Sequence, residues 1–201
     1  MKVILGLDPG GKGNFGWCIV RDSNEMPSQP IASGLADNAE MAVTAAVAEI
    51  PEGGLLIAAG IDAPLFWQKR GSREVDLIVR RAIHLAGSPH ASGTVQDVNS
   101  LRGACIVQGV LSAISLRERF PTIPITEAHP KALLWLLPEA ARLKANSEHE
   151  RDALLAAVTA WAAYNSLPGW SDIHSAEPDP YSPISQPLHY FMPASIAKKG
   201  G

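Results

Sequence analysis

The run Leu55 to Ile61 is apolar at every position, with Pro51-Glu52-Gly53-Gly54 before it and Asp62-Ala63-Pro64 after it. A short run without polar alternation predicts a strand buried on both faces, because a half-exposed strand would show a period of two. Both faces of a sheet are covered only when helices lie above and below it, which points to an α/β fold. The flanking sequence supplies the other elements. Lys2 to Leu7 is a β-prone run stopped by Asp8-Pro9-Gly10-Gly11-Lys12-Gly13-Asn14, and Phe15 to Val20 is a second, so the two read as a hairpin. A weaker strand is expected near Pro30 to Leu35, and a helix capped by Asp37 or Asn38 is expected to run to about Ile50.

Ser72 to Ala86 has a helical period, with Val75, Ile78, Val79, Ala82, Ile83 and Ala86 on one side and Arg73, Asp76, Arg80 and His84 on the other. Gly87 to Asn99 has no periodicity and reads as a long loop, of the kind that often carries function. Leu101 to Arg119 reads as a helix, and Thr122 to Thr126 as a strand ending in Glu127-Ala128-His129-Pro130, followed by a short helix to Leu137. Ser147-x-x-Glu150 is a capping box that opens a last helix to about Ser166. Hairpin strands come first and crossovers follow, so the sheet should be mixed and flanked by helices. Pro, Ser and Asp dominate from Pro168 onward. Residues 1–167 are therefore expected to form the domain and 168–201 an extended Pro-rich C-terminal tail, in which Leu188 to Met192 alone adds an edge strand.

Length and composition narrow the function classes. At 201 residues the chain predicts one domain, and 46% hydrophobic against 18% charged residues gives it enough apolar material for a core. The formal net charge of −3 provides no whole-protein field toward nucleic acid or anionic lipid, so binding of either kind must come from a local basic patch. The longest apolar stretch, Ala153 to Tyr164, falls well short of the ~20 residues that span a bilayer. The opening Met1-Lys-Val-Ile-Leu-Gly-Leu-Asp8 meets a charge too soon for a signal peptide, so a soluble, cytoplasmic protein with no membrane partner is expected. The two cysteines, Cys18 and Cys105, form neither a disulfide framework nor a metal spacing, which fits a reducing compartment.

Acidic residues recur at strand ends. Asp8 ends the first predicted strand, Asp62 the buried one and Glu127 the last, while Asp152 lies in the first turn of the final helix. In an open α/β sheet the carboxyl ends of neighbouring strands share one crevice, so residues far apart in sequence can converge there. Converged carboxylates repel one another unless a divalent cation sits between them. Taken singly, each is also an ordinary turn former or helix cap; their common placement is what makes a metal site. Ala156, Thr159, Ala160 and Ala163 lie on the Asp152 side of the helix, and such small residues let it approach a sheet closely. Glu148, one turn earlier, shares the face and stands as an alternative or second ligand.

These blocks carry a resemblance. Gly6-Leu-Asp-Pro-Gly-Gly with Phe15-Gly-Trp17, then Gly60-Ile-Asp62-Ala-Pro64, Arg73-x-x-Asp76-x-x-x-Arg80, Glu127-x-His129-Pro130-Lys131 and Arg151-Asp152-Ala153 resemble the predicted RNase H-like nuclease family, over about residues 2 to 166. The first and last blocks are also similar to resolvases of the RuvC type. The resemblance implies an RNase H-like fold, with Asp8, Asp62, Glu127 and Asp152 as catalytic metal ligands. It implies two-metal phosphodiester hydrolysis, in which two Mg²⁺ or Mn²⁺ ions orient a water, lower its pKa and stabilise the leaving oxygen. Asp8 would bridge the ions, Asp62 and Asp152 would each hold one, and Glu127 would ligate directly or through water.

The basic cluster Lys69, Arg70, Arg73, Arg80 and Arg81 follows Asp62. It reads either as a solvated helix face or as a phosphate clamp in which Asp76 holds Arg73 and Arg80. Lys12 and Lys131, beside two of the acidic positions, are further candidates for substrate contact, as are His90 and His129. Gly6-x-x-x-x-Gly11-Lys12 nearly matches a P-loop, but Gly13 stands where a Ser or Thr is needed and a strand follows instead of a helix. The sequence thus points to a metal-dependent nuclease. The alternatives are a non-catalytic module of the same fold binding nucleic acid or a protein, and a nucleotide-binding phosphotransferase, which chain length disfavours.

Overall fold

The computed structural model describes residues 1–10, 12–66, 73–90, 95, 103–178, 184 and 188–194. Ser72, Leu101, most of the predicted 87–99 loop, and Lys69 and Arg70 lie outside the described residues. The elements are β1 (Lys2–Asp8), β2 (Phe15–Arg21), β3 (Ala32–Ala36), α1 (Ala39–Ala48), β4 (Leu55–Ile61), α2 (Glu74–Leu85), α3 (Gly103–Arg119), β5 (Ile125–Glu127), α4 (Pro130–Leu136), α5 (Glu148–Tyr164), β6 (Trp170–Asp172) and β7 (Leu188–Pro193), with short 3₁₀ turns at Pro138–Arg142 and His174–Ala176. They form an α/β fold around one seven-stranded mixed sheet of order β3-β2-β1-β4-β5-β7-β6. The hairpin strands β1, β2 and β3 run antiparallel; β4, β5 and β7 are parallel to β1, and β6 turns back along β7. No helix among the described residues is long and apolar enough to cross a membrane.

The predicted central strand has the predicted bounds, and both β1 and β4 are buried at every position after their first residue. Their period of two sorts the core into two layers. Val3, Leu5 and Leu7 face one layer with Phe15, Trp17 and Ile19, where Ala42, Val43 and Ala46 of α1 cover them. Ile4, Cys18, Val20 and Ile57 face the other, beneath Ala153, Leu154, Ala157 and Trp161 of α5.

Where α5 crosses the sheet, glycine replaces side chains on the strands. A Cβ built on Gly6 would stand 1.9 Å from the carbonyl oxygen of Ala153, and one on Gly60 would stand 1.9 Å from that of Ala156. Gly6 and Gly60 are direct partners across β1 and β4. The helix backbone therefore lies in a trough that only glycine can form, with Ala153, Ala156 and Ala157 as the small residues against it. Of the small-residue face expected from sequence, Ala156 makes this contact. The capping box also differs in one detail. Ser147 Oγ accepts from Glu150 N at 3.2 Å, but the Glu150 carboxylate accepts from Asn146 N at 2.9 Å, one residue before the cap.

The segment read as a tail belongs partly to the sheet. Leu188–Pro193 is not an edge strand as expected: it lies between β5 and β6, pairing Ile125 with Leu188 and Glu127 with Tyr190, and the edge falls to Trp170–Asp172. Leu188, Tyr190 and Met192 are buried, alternating with the half-buried His189 and Phe191, a pattern that the Pro-rich flanks obscured.

The trough makes a definite demand. Gly60→Ala must push α5 off the sheet or bend β4, and overpacking of this kind costs about 1–3 kcal/mol or more. Urea denaturation should show at least that loss. A variant as stable as the wild type would mean that the helix does not sit this close.

Candidate functional site

Two adjacent parallel strands bring two of the predicted carboxylates together. Asp8 ends β1, Asp62 follows β4, and the Asp62 amide donates to the Leu7 carbonyl at 2.9 Å, so the ladder runs on to the acidic residues themselves. The two carboxyls are near enough to perturb each other's ionisation. The glycine trough carries the N-terminal turns of α5 to the same place, and there Asp152 is buried with 3% of its surface exposed. Three of the four predicted acidic residues therefore lie near the carboxyl ends of β1 and β4, close enough for the Asp152 charge to act on Asp8 and Asp62, although their carboxylate oxygens do not all lie within 4.8 Å of one another.

Electrostatics reflect the crowding. Burial pushes the Asp8 carboxyl up to about 6, and the Asp152 charge adds to it against the pull of His149. Asp62 is raised well above the carboxylate range by burial and then by the charges of Asp8 and Asp152, with Lys131 opposing. Asp152 is raised by burial, against hydrogen bonds from Arg151, whose Nε and Nη2 both donate to its Oδ1 at 3.0 and 2.7 Å. Three acids that each resist ionisation, held in one place, form an arrangement that a cation would stabilise.

The sequence reading passed over one member of this group. His149 Nδ1 lies 2.8 Å from Asp8 Oδ2, and its side chain is 39% exposed. The signal was its position three residues before Asp152, which puts both on one helix face. Glu148, weighed against Asp152, is instead exposed at the rim, 3.4 Å from Lys131 Nζ and 3.7 Å from Arg151 Nη2.

Glu127 has a different fate. It is fully buried, and its Oε2 accepts from Leu65 N and Arg73 Nη1, both at 2.9 Å, while Oε1 accepts from Arg73 Nη2 at 2.7 Å and pairs with His129 Nε2 at 2.9 Å. Burial alone would raise this carboxyl, yet Arg73 and His129 outweigh it and hold the group down at about 2. A carboxylate has about four lone-pair sites, and all four are taken, so none remains for a metal. The expectation of Glu127 as a ligand is corrected on that ground. Asp76, Glu127 and His129 are, among the described residues, the one group of three metal-binding side chains whose ligand atoms all lie within 4.8 Å of one another. The Arg73 guanidinium already serves as their cation, bonding Asp76 through Nε at 2.8 Å and Nη2 at 2.7 Å.

The same contacts correct the phosphate clamp. Arg73 is 1% exposed, and its five N–H groups are engaged by Asp76, Glu127 and the Phe66 carbonyl, so no donor is left for substrate. Asp76, placed on the polar face by periodicity, is buried beside it. Arg80 is half-buried and gives Nε to the Val95 carbonyl at 2.7 Å, tying α2 to that segment. His129 is buried on Glu127, and His90 is exposed on the turn after α2. Lys12 is exposed in the turn between β1 and β2, and Lys131 is exposed at the rim, where its charge reaches Asp62 and Asp152. Comparison with protein-family models, with curated proteins and with solved structures found no match to this chain.

Arg73→Ala should destabilise the fold by about 3–5 kcal/mol, the usual effect of stranding one side of a buried ion pair. It should also raise the Glu127 carboxyl. Urea unfolding at neutral pH checks it, and a loss under 1 kcal/mol would return Arg73 to the surface.

Asp8 acts on stability with the opposite sign. Its folded-state pKa lies above its unfolded one, so between about pH 4 and pH 6 the folded state holds more protons and stability falls as pH rises. Glu127, whose folded-state pKa is depressed, gives stability that is full above about pH 4.5 and is lost toward pH 2. Asp8→Asn should therefore stabilise the metal-free protein above pH 6, on the order of 1–3 kcal/mol. Thermal melts in EDTA at pH 5 and pH 7 test this, and a mutant less stable than wild type at pH 7 would contradict it.

Proposed function

We propose that this protein is an RNase H-like, metal-dependent phosphodiester hydrolase acting on nucleic acid. The observation that carries the reading is the grouping of Asp8, Asp62 and Asp152 near the ends of β1 and β4, with every carboxyl raised and His149 bonded to Asp8. The hairpin-led mixed sheet, with later strands parallel to β1, supports the RNase H-like assignment. The donor set fits hard divalent cations, since carboxylate oxygens suit Mg²⁺ or Mn²⁺.

In this reading Asp8, Asp62 and Asp152 are the residues that would hold the divalent ions, with Asp8 the carboxylate that interacts with both of the others. Bound ions would supply Lewis-acid polarisation of the phosphate and a water of lowered pKa. Arg151 pins one oxygen of Asp152 and leaves the other for ligation. His149 has Nδ1 on Asp8, so Nε2 is the nitrogen that can accept a proton from the attacking water. Lys131 at the rim meets the phosphate charge beside the scissile bond. Glu127 takes no part in ligation; through Arg73 it fixes the end of β5, from which Lys131 is displayed.

Asp62→Asn should lower Mn²⁺-dependent cleavage of nucleic acid by at least about 100-fold, because several kcal/mol of transition-state stabilisation depends on the ion it holds. It should also remove the rise in melting temperature that Mn²⁺ gives the wild type. Purifications must be matched against contaminating nucleases. Cleavage within a few-fold of wild type would defeat the reading.

A further inference from the structure

We propose that the exposed face of α4, formed by Lys131 with Trp135 one turn on, is a stacking platform for an unpaired base of single-stranded nucleic acid entering the carboxylate site. This rests on the hydrolase reading of that site and names its substrate class. Trp135 is 44% exposed, and among the described residues no aromatic ring pairs with it. An indole is among the largest apolar groups a chain can bury, so leaving it in water beside a polar site calls for an occupant. Leu134, 39% exposed, extends the ledge.

The position relative to charge selects the occupant. Residues at i and i+4 of a helix share a face, with Cβ atoms about 5–6 Å apart, so Lys131 and Trp135 work side by side. Lys131 stands 56% exposed at the rim of the carboxylate cluster, 3.4 Å from the exposed Glu148 carboxylate, and Arg151, about one-third exposed and bonded to Asp152, borders the same cluster from α5. Two cations beside an acidic centre, with an open ring one turn away, combine backbone attraction with a π-face for a base, as in proteins that bind single strands. In a duplex the base faces are stacked on one another, and only an unpaired base offers a face to Trp135. A small phosphoester would leave the ring unused.

Fluorescence anisotropy in Ca²⁺ can compare a labelled oligothymidylate with an abasic deoxyribose-phosphate strand of the same length. The wild type should bind oligothymidylate roughly 5- to 150-fold more tightly, the gain from one stacked base. Trp135→Ala should abolish that preference without weakening the abasic strand, and Trp135→Phe should keep it within a few-fold. Lys131→Ala should weaken both strands alike and make the slope of log affinity against log salt shallower by about 0.7. A wild type indifferent to the bases overturns the platform. So does a Trp135→Ala variant that keeps the preference, or one that turns a dimer into a monomer in sedimentation, which would give the face to a second copy of the chain. If oligothymidylate is preferred through Trp135 but Mn²⁺ brings no cleavage, the platform stands and the hydrolase reading falls.

Discussion

The contact on which the rest of the structure depends is the crossing of α5 over the glycines of β1 and β4. With carbonyl oxygens of Ala153 and Ala156 seated where Cβ atoms would be, the helix has a fixed height above the sheet. Its position along the strands follows, since Gly6 and Gly60 are register partners. Asp152, one residue before Ala153, is thereby delivered to the strand ends, and His149, one turn earlier, to Asp8. A helix held off by ordinary side chains would stand nearer the ~10 Å spacing of packed layers and leave Asp152 short of the strand ends. Close backbone packing is what converts acidic residues distant in sequence into one site.

Much of this was legible because it rested on local chemistry. The uninterrupted run Leu55–Ile61 reads as a doubly covered strand, and Asp62 and Asp8 were readable as the ends of that strand and of its parallel neighbour. Asn38 and Ser147 cap α1 and α5 as their residue types allow. Illegible features depended on partners far away in the chain. Helical periodicity put Arg73 and Asp76 on the polar stripe of α2, which is where solvated residues also fall; only the arrival of β5 decides that these two are buried while His84 stays exposed. Leu188–Pro193 looked marginal because a central place is conferred by β5 on one side and β6 on the other. His149 was visible as a spacing but had no meaning until α5 was set on β2 and β1.

The region beyond Pro168 also acquires a reason in charge terms. Tyr190 of β7 lies over the buried network, its ring 5.3 Å from that of His129 and 5.9 Å from the Arg73 guanidinium. Glu177 Oε2 accepts from the Glu74 amide at the start of α2, at 2.8 Å, where a negative group favours the helix dipole. These groups exclude water from Arg73, Asp76 and Glu127. Exclusion strengthens the pairing and makes the loss of any one member severe.

Strand β4 thus separates two clusters of acidic residues built from the same motif, a carboxylate at the end of a parallel strand. At β5 the chain supplies its own cation, Arg73, with five donors that saturate Glu127 and Asp76, and the carboxyl is held ionised at about 2. At β1 and β4 the basic groups are more exposed: Arg151 binds one oxygen of Asp152, Lys131 stands at the rim, and His149 holds one oxygen of Asp8. Burial is opposed less strongly there, so the carboxyls rise. Placement of acidic residues is common to both, and the counter-charge distinguishes them. An arginine three residues before a second acid on the intervening helix marks the closed cluster, and at Asp62, among the described residues, it is Lys131 at the rim that opposes the rise instead.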